Sequence, residues 1–201
     1  MDTKLTTRDK ILDAALTLFS EKGFDGVGVD ELAELAGVKG PAIYYYFKGK
    51  DAVFDGVIGM LEDYYATNFG SAQNMTGFPG STEELITMSL ARINYTMHDP
   101  QIKKIRRLIA SEQFRDERMR MLATKHFLTG LEDLYTAVFI HMMQDKLLKQ
   151  DDAGILAMEF TAPIAQWIHF VDRHPNREAE AMERITKYME HFVKIYGYSE
   201  H

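Results

Sequence analysis

Apolar residues recur every three or four positions along most of this chain, a period typical of helices that bury one side. The first such stripe covers residues 7–21, where Thr6 or Thr7 can cap the helix and Gly23 ends it. We find no strand-like alternation and no internal repeat in the sequence. The pattern therefore predicts an all-α protein of about nine helices. The helices after the first three are predicted over 51–69, 81–97, 101–114, 116–148, 153–174 and 178–196.

Two short helices separated by a tight turn follow the first helix. Residues 29–36 suit a helix, because their apolar positions have helical spacing and two acidic residues lie in the first turn, at the positive helix end. Gly37 then breaks this helix, since glycine adopts a left-handed conformation without steric cost. A second helix can begin at Pro41, with Gly40 as its cap.

The spacing of Ala33, Gly37 and Ile43 is that of a helix-turn-helix. The small residue lets two helices cross closely, the glycine makes the turn, and the branched residue fills the space between the helices. On a wheel of about 100° per residue, Ile43, Tyr46 and Phe47 fall on one side of the second helix, so we predict that Tyr46 packs inward. The other side of this helix can face a partner and carries Pro41, Tyr44, Tyr45 and Lys48.

The composition is that of a globular protein, with 46% hydrophobic and 26% charged residues among 201. The chain has no cysteine, which excludes disulfides, thiolate metal sites and a cysteine nucleophile. The first ten residues are polar and lack the apolar core of a secretory signal. No apolar run reaches the length of about 18 residues needed to cross a membrane. These features predict a cytoplasmic protein.

The net charge of −7 does not favour a nucleic-acid binder. The first 50 residues have a net charge of −1, because they contain seven basic and eight acidic residues. This part is less acidic than the rest of the chain without being basic. A DNA-binding face here must depend on where its charges lie, and not on their total.

Several segments share their order and spacing with a known family, namely residues 8–19, Gly23-Phe24, 29–33, 36–38, 43–48 and Lys50. On these segments, residues 6–61 resemble the tetracycline-repressor (TetR) family of bacterial transcription regulators. The resemblance implies a helix-turn-helix DNA-binding domain over 1–50, with its motif at about 28–47 and a helix over 51–69 that links it to the core. It also implies that residues 70–201 form a ligand-binding and dimerisation domain.

The resemblance implies roles for individual residues of the DNA-binding face. Tyr44 stands where the family's recognition helix contacts the DNA backbone, and Lys50 stands where a lysine at the start of the fourth helix contacts phosphate. Gly28 departs from the family pattern, which has a serine or threonine that caps the second helix and contacts phosphate. Base and phosphate contacts vary among members at the positions held here by Lys39, Gly40, Ala42 and Tyr45.

The last two predicted helices, 153–174 and 178–196, form an antiparallel pair that is apolar on more than one side. Such helices cannot bury all their apolar surface inside one small subunit. Two copies of the pair can form a four-helix bundle in a homodimer, or the pair can lie at the centre of the subunit core. A homodimer would place two recognition helices about 34 Å apart, in successive major grooves of operator DNA.

The second part of the chain is rich in methionine and aromatic residues, which can form a plain core or line an adaptable apolar cavity. Pro163 is expected to kink its helix and so to open space between helices. We therefore predict a pocket for a small apolar or aromatic inducer. Its candidate lining residues are Met88, Asn94, Tyr95, Phe114, His126, Tyr135, Phe139, Phe160, Gln166 and Trp167.

The sequence lacks the residue arrangements of common enzymes. Its histidines do not stand at metal-ligand spacing, and the motifs of serine hydrolases, P-loop enzymes and dinucleotide-binding enzymes are absent. We predict no enzymatic activity, no metal site and no cofactor. The predicted function is a ligand-responsive DNA-binding transcriptional regulator, specifically a repressor that a small molecule releases from its operator. The alternative is a helical small-molecule-binding or interaction protein of the same fold with weak or lost DNA binding.

Overall fold

The computed structural model describes residues 5–68 and 77–198. These residues are helical, and among them extended pairing is limited to an isolated bridge between Leu148 and Gly197. The all-α prediction is confirmed. The elements in order are α1 (Thr7–Lys22), α2 (Val29–Leu35), α3 (Gly40–Tyr46), α4 (Lys50–Asn68), α5 (Thr82–His98), α6 (Pro100–Glu112), α7 (Glu117–Thr124), a π-helical segment (Lys125–Thr129), α8 (Gly130–Gln144), α9 (Ala153–Arg173), a 3-10 turn (Pro175–Arg177) and α10 (Glu178–Tyr196).

The described helices number nine when α7, the π-helical segment and α8 are counted together, as the sequence predicted over 116–148. The π-helical segment ends at Gly130, whose N–H donates to the carbonyl of Lys125. A Cβ atom at Gly130 would lie 2.6 Å from that carbonyl oxygen. Glycine therefore allows the close backbone approach with which this segment ends.

Polar side chains cap the starts of α1, α6 and α9. Thr6 and Asp9 form a capping box at α1, which confirms Thr6 as the cap. Asp99 caps α6 by accepting the N–H of Ile102 at 2.9 Å, and Asp152 caps α9 through Gly154 and Ile155. The α9 helix continues through Pro163 to Arg173.

The first compact unit comprises the described residues up to Asn68 together with Asp99–Ala123. Its core forms where α1 packs against α4 and α6, and where α2 packs against α3. Three aromatic rings, Phe19, Phe24 and Phe54, contact one another with centroids 4.8–5.6 Å apart. Fully buried aliphatic side chains complete this core, among them Ile11, Leu16, Leu32, Ile43, Leu61 and Ile105.

The second compact unit comprises the described residues of Phe69–His98 and Thr124–His201. Here α8 packs along α9, and α10 packs against α9 and α5. The rings of Phe139, Phe160 and Phe192 lie within 5.5 Å of one another at the centre of this unit.

The units divide the chain differently from the predicted sequence domains. The buried side of α6 carries Ile102, Ile105 and Ile109, and α6 packs on α1 within the first unit. A helix from the second half of the chain thus completes the core of the N-terminal unit. The predicted functional boundary at residue 70 lies outside the described residues and stays a prediction.

Candidate nucleic-acid interface

The turn between α2 and α3 is a Schellman motif. Gly37 has φ +66°, and its N–H donates to the carbonyl of Glu34 at 3.0 Å. The N–H of Val38 donates to the carbonyl of Ala33 at 2.9 Å. These two bonds satisfy the last carbonyls of α2 and reverse the chain at a residue that needs no Cβ. Ala33 and Ile43 are buried, as the helix-turn-helix spacing predicted.

The two short helices begin without side-chain caps. Gly28 is the N-cap of α2 and Lys39 is the N-cap of α3. The prediction of Gly40 as the cap is wrong by one position, because Gly40 is already the first residue of α3. A Cβ atom at Gly28 would meet nothing within 4 Å, so a side chain would fit there without a clash. Lys39 keeps its side chain exposed and available to a partner.

The outer face of α3 is aromatic and open to solvent. Tyr44 is 62% exposed and Tyr45 is 81% exposed, while Ala42 is half-buried beside them. The prediction that Tyr46 packs inward is wrong, because Tyr46 is 41% exposed and its ring meets the Tyr45 ring edge to face at 4.9 Å. Phe47 takes the inward position instead, since the helix ends at Tyr46 and Phe47 adopts an extended conformation.

Lys50 begins α4 and is bound within the first unit. Its ammonium donates to the carbonyl of Phe24 at 2.9 Å and lies 4.3 Å from the centroid of the Phe24 ring. The side chain is half-buried. Lys50 therefore ties the start of α4 to the loop between α1 and α2, and the ammonium keeps two further N–H donors.

Glu112, at the end of α6, holds the same loop from another side. Its carboxylate is buried and accepts the N–H of Phe24 at 3.1 Å. Arg115 forms an ion pair with Asp25 at 2.9 Å, one residue further along the loop. Glu112 was not among the residues predicted from the sequence. The available signal was an acidic residue on the buried side of an amphipathic helix, and 88 positions separate it from its partner.

Three of the ten predicted pocket residues lie together in the second unit. Tyr135, Phe139 and Phe160 are buried, with ring centroids 4.9–5.8 Å apart. The hydroxyl of Tyr135 donates to that of Ser89 at 2.9 Å, which places a polar pair inside an aromatic core. Burial raises the pKa of Tyr135 above its usual value, so its hydroxyl stays protonated.

The structure does not bring the other seven predicted pocket residues into that cluster. Phe114 is 84% exposed and belongs to the first unit. His126 contacts Phe127, and Trp167 contacts Phe170, and both side chains are half-buried. Five of these seven residues are exposed, namely Met88, Asn94, Tyr95, Phe114 and Gln166. A single pocket lined by all ten residues stays a prediction.

Within residues 5–68 and 77–198, no group of three histidine or acidic side chains could hold a metal ion. None of the helices in these ranges is long and apolar enough to span a membrane.

Residues 11–57 match the model of the family described as bacterial regulatory proteins, tetR family. The N-terminal region of the chain is therefore similar to the TetR family. The match covers α2, α3 and the Schellman turn that joins them. Both termini of the exposed aromatic helix therefore lie inside the region that the family shares.

Two curated relatives of this chain are named as transcriptional regulators. YttP of Bacillus subtilis (strain 168), named as an HTH-type regulator, is 30% identical over 101 residues, which are 50% of this chain and 49% of YttP. IcaR of Staphylococcus aureus, named as a negative regulator of the biofilm operon icaADBC, is 35% identical over 71 residues, 35% of this chain and 38% of IcaR. The chain spans half or less of the length of each relative. Their names agree with the prediction of a DNA-binding transcriptional regulator.

A solved structure shows the same fold over nearly the whole chain. SmeT, the repressor of the Stenotrophomonas maltophilia multidrug efflux pump SmeDEF, matches with a TM-score of 0.66 and 17% identity, over 98% of this chain and 93% of SmeT. A complex of SmeT with triclosan matches with a TM-score of 0.70 and 16% identity, over 95% and 91% of the two chains. At this identity the likeness establishes the fold alone.

Proposed function

We propose that the protein is a homodimeric transcriptional repressor that binds operator DNA through α3 and is released by a small molecule. The observation that carries the proposal is the exposed face of α3, on which Tyr44 and Tyr45 project from a helix fixed by the Schellman turn at Gly37. A protein without a partner for this face would leave two large rings in water, and exposed aromatic surface of this kind marks interaction sites.

The chemistry of α3 suits the major groove. Tyr44 donates its hydroxyl to a phosphate, and the neighbouring Lys39 supplies a positive charge where the helix begins. Tyr45 and Ala42 are suited to apolar contact with a thymine methyl group. Gly40 lets the backbone approach the DNA closely, while Gly28 offers only its backbone. Sequence discrimination then rests largely on apolar contact and on DNA shape.

A homodimer is supported by apolar side chains that α9 leaves on the surface. Ile155 and Met158 stand three residues apart, on the same side of α9, and about half of each side chain is exposed. Ile195, near the end of α10, is exposed as well. Pairing through 153–174 and 178–196 would cover these residues and give the protein the two-fold symmetry of a palindromic operator.

The inducer is proposed to bind in the second unit, near Tyr135, Phe139 and Phe160. The Ser89–Tyr135 pair provides a polar group within an otherwise aromatic surrounding, which suits an apolar or aromatic molecule with one hydrogen-bonding substituent. The complex of SmeT with triclosan supports this class of ligand for the shared fold. The inducer acts by favouring dimers whose recognition helices no longer match successive major grooves.

A gel shift with the full chain and the DNA upstream of its own gene tests the proposal. Tyr44→Phe removes one hydroxyl, so the affinity should fall roughly fivefold for each protomer, as for a hydrogen bond of about 1 kcal/mol. The salt dependence should stay unchanged because no charge is lost. Tyr198→Phe removes an exposed hydroxyl from the second unit and serves as the control.

The same gel shift separates the repressor from a second candidate, a helical ligand-binding protein that has lost DNA binding. Two observations favour that candidate: Lys50 is bound internally to Phe24, and Gly28 lacks the hydroxyl that would contact phosphate. Specific retardation of the upstream DNA supports the repressor, which we place in the cytoplasm with its operator. No retardation at low salt supports the ligand-binding protein.

A further inference from the structure

Arg8 is an exposed cation of α1 that stands over an aromatic ring. Its guanidinium carbon lies 5.5 Å from the centroid of the Phe47 ring, which is within the range of a cation–π interaction. Among the described residues, no carboxylate lies within ion-pair distance of Arg8. Three other cations of the first unit are neutralised, because Lys22 pairs with Glu31, Arg115 with Asp25, and Arg118 with Asp55 and Asp116.

The neighbouring carboxylate of Asp9 accepts hydrogen bonds from Thr6, the N-cap residue of α1. It accepts the N–H of Thr6 at 3.1 Å and the hydroxyl of Thr6 at 2.7 Å. These bonds, with a smaller contribution from Arg8, hold the pKa of Asp9 below its usual value. Because Asp9 serves the capping box, residues 5–68 and 77–198 leave the charge of Arg8 available to a partner.

Phe47 fixes the position of Arg8 relative to the recognition helix. Phe47 directly follows α3 and is buried, while the next residue, Lys48, is exposed. A Cβ atom on Gly56 would lie 2.9 Å from the Phe47 ring and 2.8 Å from the Leu12 side chain, so the ring fills the space between α1 and α4. Phe47 lies three residues after Tyr44, which corresponds to roughly 5 Å along a helix.

We propose that Arg8 binds a DNA phosphate next to the one contacted by Tyr44, and that the Phe47 ring holds the guanidinium for this contact. The inference rests on the proposed DNA-binding function. Stacking on an aromatic ring occupies the face of a guanidinium and leaves its N–H edges free, and these edges fit phosphate oxygens in two parallel hydrogen bonds. Arg8 thus adds to the interface a charge from outside the helix-turn-helix, in a chain whose first 50 residues carry a net charge of −1.

The test is a fluorescence anisotropy titration of the full chain with the upstream duplex at several KCl concentrations. Arg8→Ala should lower the slope of log affinity against log salt by about 0.9 for each protomer, because one counterion fewer is released. Arg8→Lys keeps the charge and should keep the slope. Lys10→Ala is the matched control, since Lys10 is exposed on the same helix and lies about 200° around it from Arg8.

The outcomes distinguish this inference from the proposed function. A reduced slope for Arg8→Ala, with Lys10→Ala unchanged and unaltered far-UV circular dichroism, supports the phosphate contact. If the wild type binds the duplex and Arg8→Ala has the wild-type slope, the inference fails while the proposed function stands. An equal loss with Lys10→Ala also overturns it, because the effect is then one of net charge. If the wild type binds no DNA, both fail.

Discussion

Lys50 combines two roles in one side chain. Its hydrogen bond to the carbonyl of Phe24 and its contact with the Phe24 ring join the start of α4 to the α1–α2 loop. The remaining donors of the ammonium are proposed to reach a phosphate. A lysine that is already held in place loses less conformational entropy when it binds DNA than a fully mobile one, so the internal bond also favours the external contact.

Replacing Lys50 by methionine removes both roles, and two measurements report on them separately. Lys50→Met should lower the free energy of unfolding by about 1–2 kcal/mol, because a charge-assisted hydrogen bond and a cation–π contact are lost. It should also lower the salt slope of DNA binding by about 0.9 for each protomer. Urea denaturation followed by circular dichroism, and anisotropy titrations, measure the two effects. Lys48→Met is the control for stability, since Lys48 is exposed. Unchanged stability would contradict the internal role, and an unchanged slope would contradict the phosphate contact.

At the scale of elements, sequence patterns predict helices and turns whose signals lie in neighbouring residues. They predict less well the side-chain orientations that depend on the residue at which a helix ends. The period of the apolar residues and Gly37 were sufficient to predict α2, the turn and α3. The helical wheel failed at Tyr46 because it assumes a helix that continues, whereas α3 ends there. The helix predicted over 101–114 likewise ends earlier, since α6 stops at Glu112 and leaves Phe114 exposed in the connection to α7.

Contacts between distant segments could not be predicted from one sequence. The bond between Glu112 and Phe24 joins α6 to the α1–α2 loop, and no local pattern encodes this pairing. The same holds for the cluster of Tyr135, Phe139 and Phe160, in which Phe160 comes from a different helix than the other two. The sequence could therefore supply apolar candidates for the predicted pocket, but it could not show which of these side chains contact one another.

The role of α6 as a support for the α1–α2 loop is testable through Glu112. Glu112→Ala leaves the N–H of Phe24 without its acceptor, so amide hydrogen exchange in residues 23–28 should accelerate roughly tenfold, as for a local loss of about 1.4 kcal/mol. Glu112→Gln keeps an acceptor oxygen and should change the exchange rate much less. Glu117→Ala, at an exposed site on α7, is the control. Wild-type exchange in Glu112→Ala would contradict this role.

At the scale of the whole molecule, the proposed repressor depends on two copies of the chain. A single recognition helix contacts one half-site, and the affinity of a repressor for its operator requires both half-sites at once. Dimer geometry is therefore the quantity on which an inducer is proposed to act. The exposed Ile155 and Met158 on α9 are the residues whose burial that geometry requires.

Met158→Glu tests the proposed dimer surface. Burying a carboxylate among apolar side chains is costly, so the variant should sediment as a monomer at concentrations where the wild type is a dimer. Its affinity for the upstream DNA should fall at least tenfold, because the second half-site is no longer engaged cooperatively. Analytical ultracentrifugation measures the first effect, and Met121→Glu, on α7 of the first unit, is the matched control. A dimeric Met158→Glu would place the interface elsewhere.

Hydroxyl-radical footprinting of the full chain on the DNA upstream of its own gene tests the central claim, that α3 of two copies reads a symmetric operator. The predicted result is a pair of protected segments related by two-fold symmetry, with centres about 10 base pairs apart or a multiple of that distance. Tyr44→Phe should weaken both segments equally. The absence of any protected segment, or a single segment without a symmetric counterpart, would contradict the account.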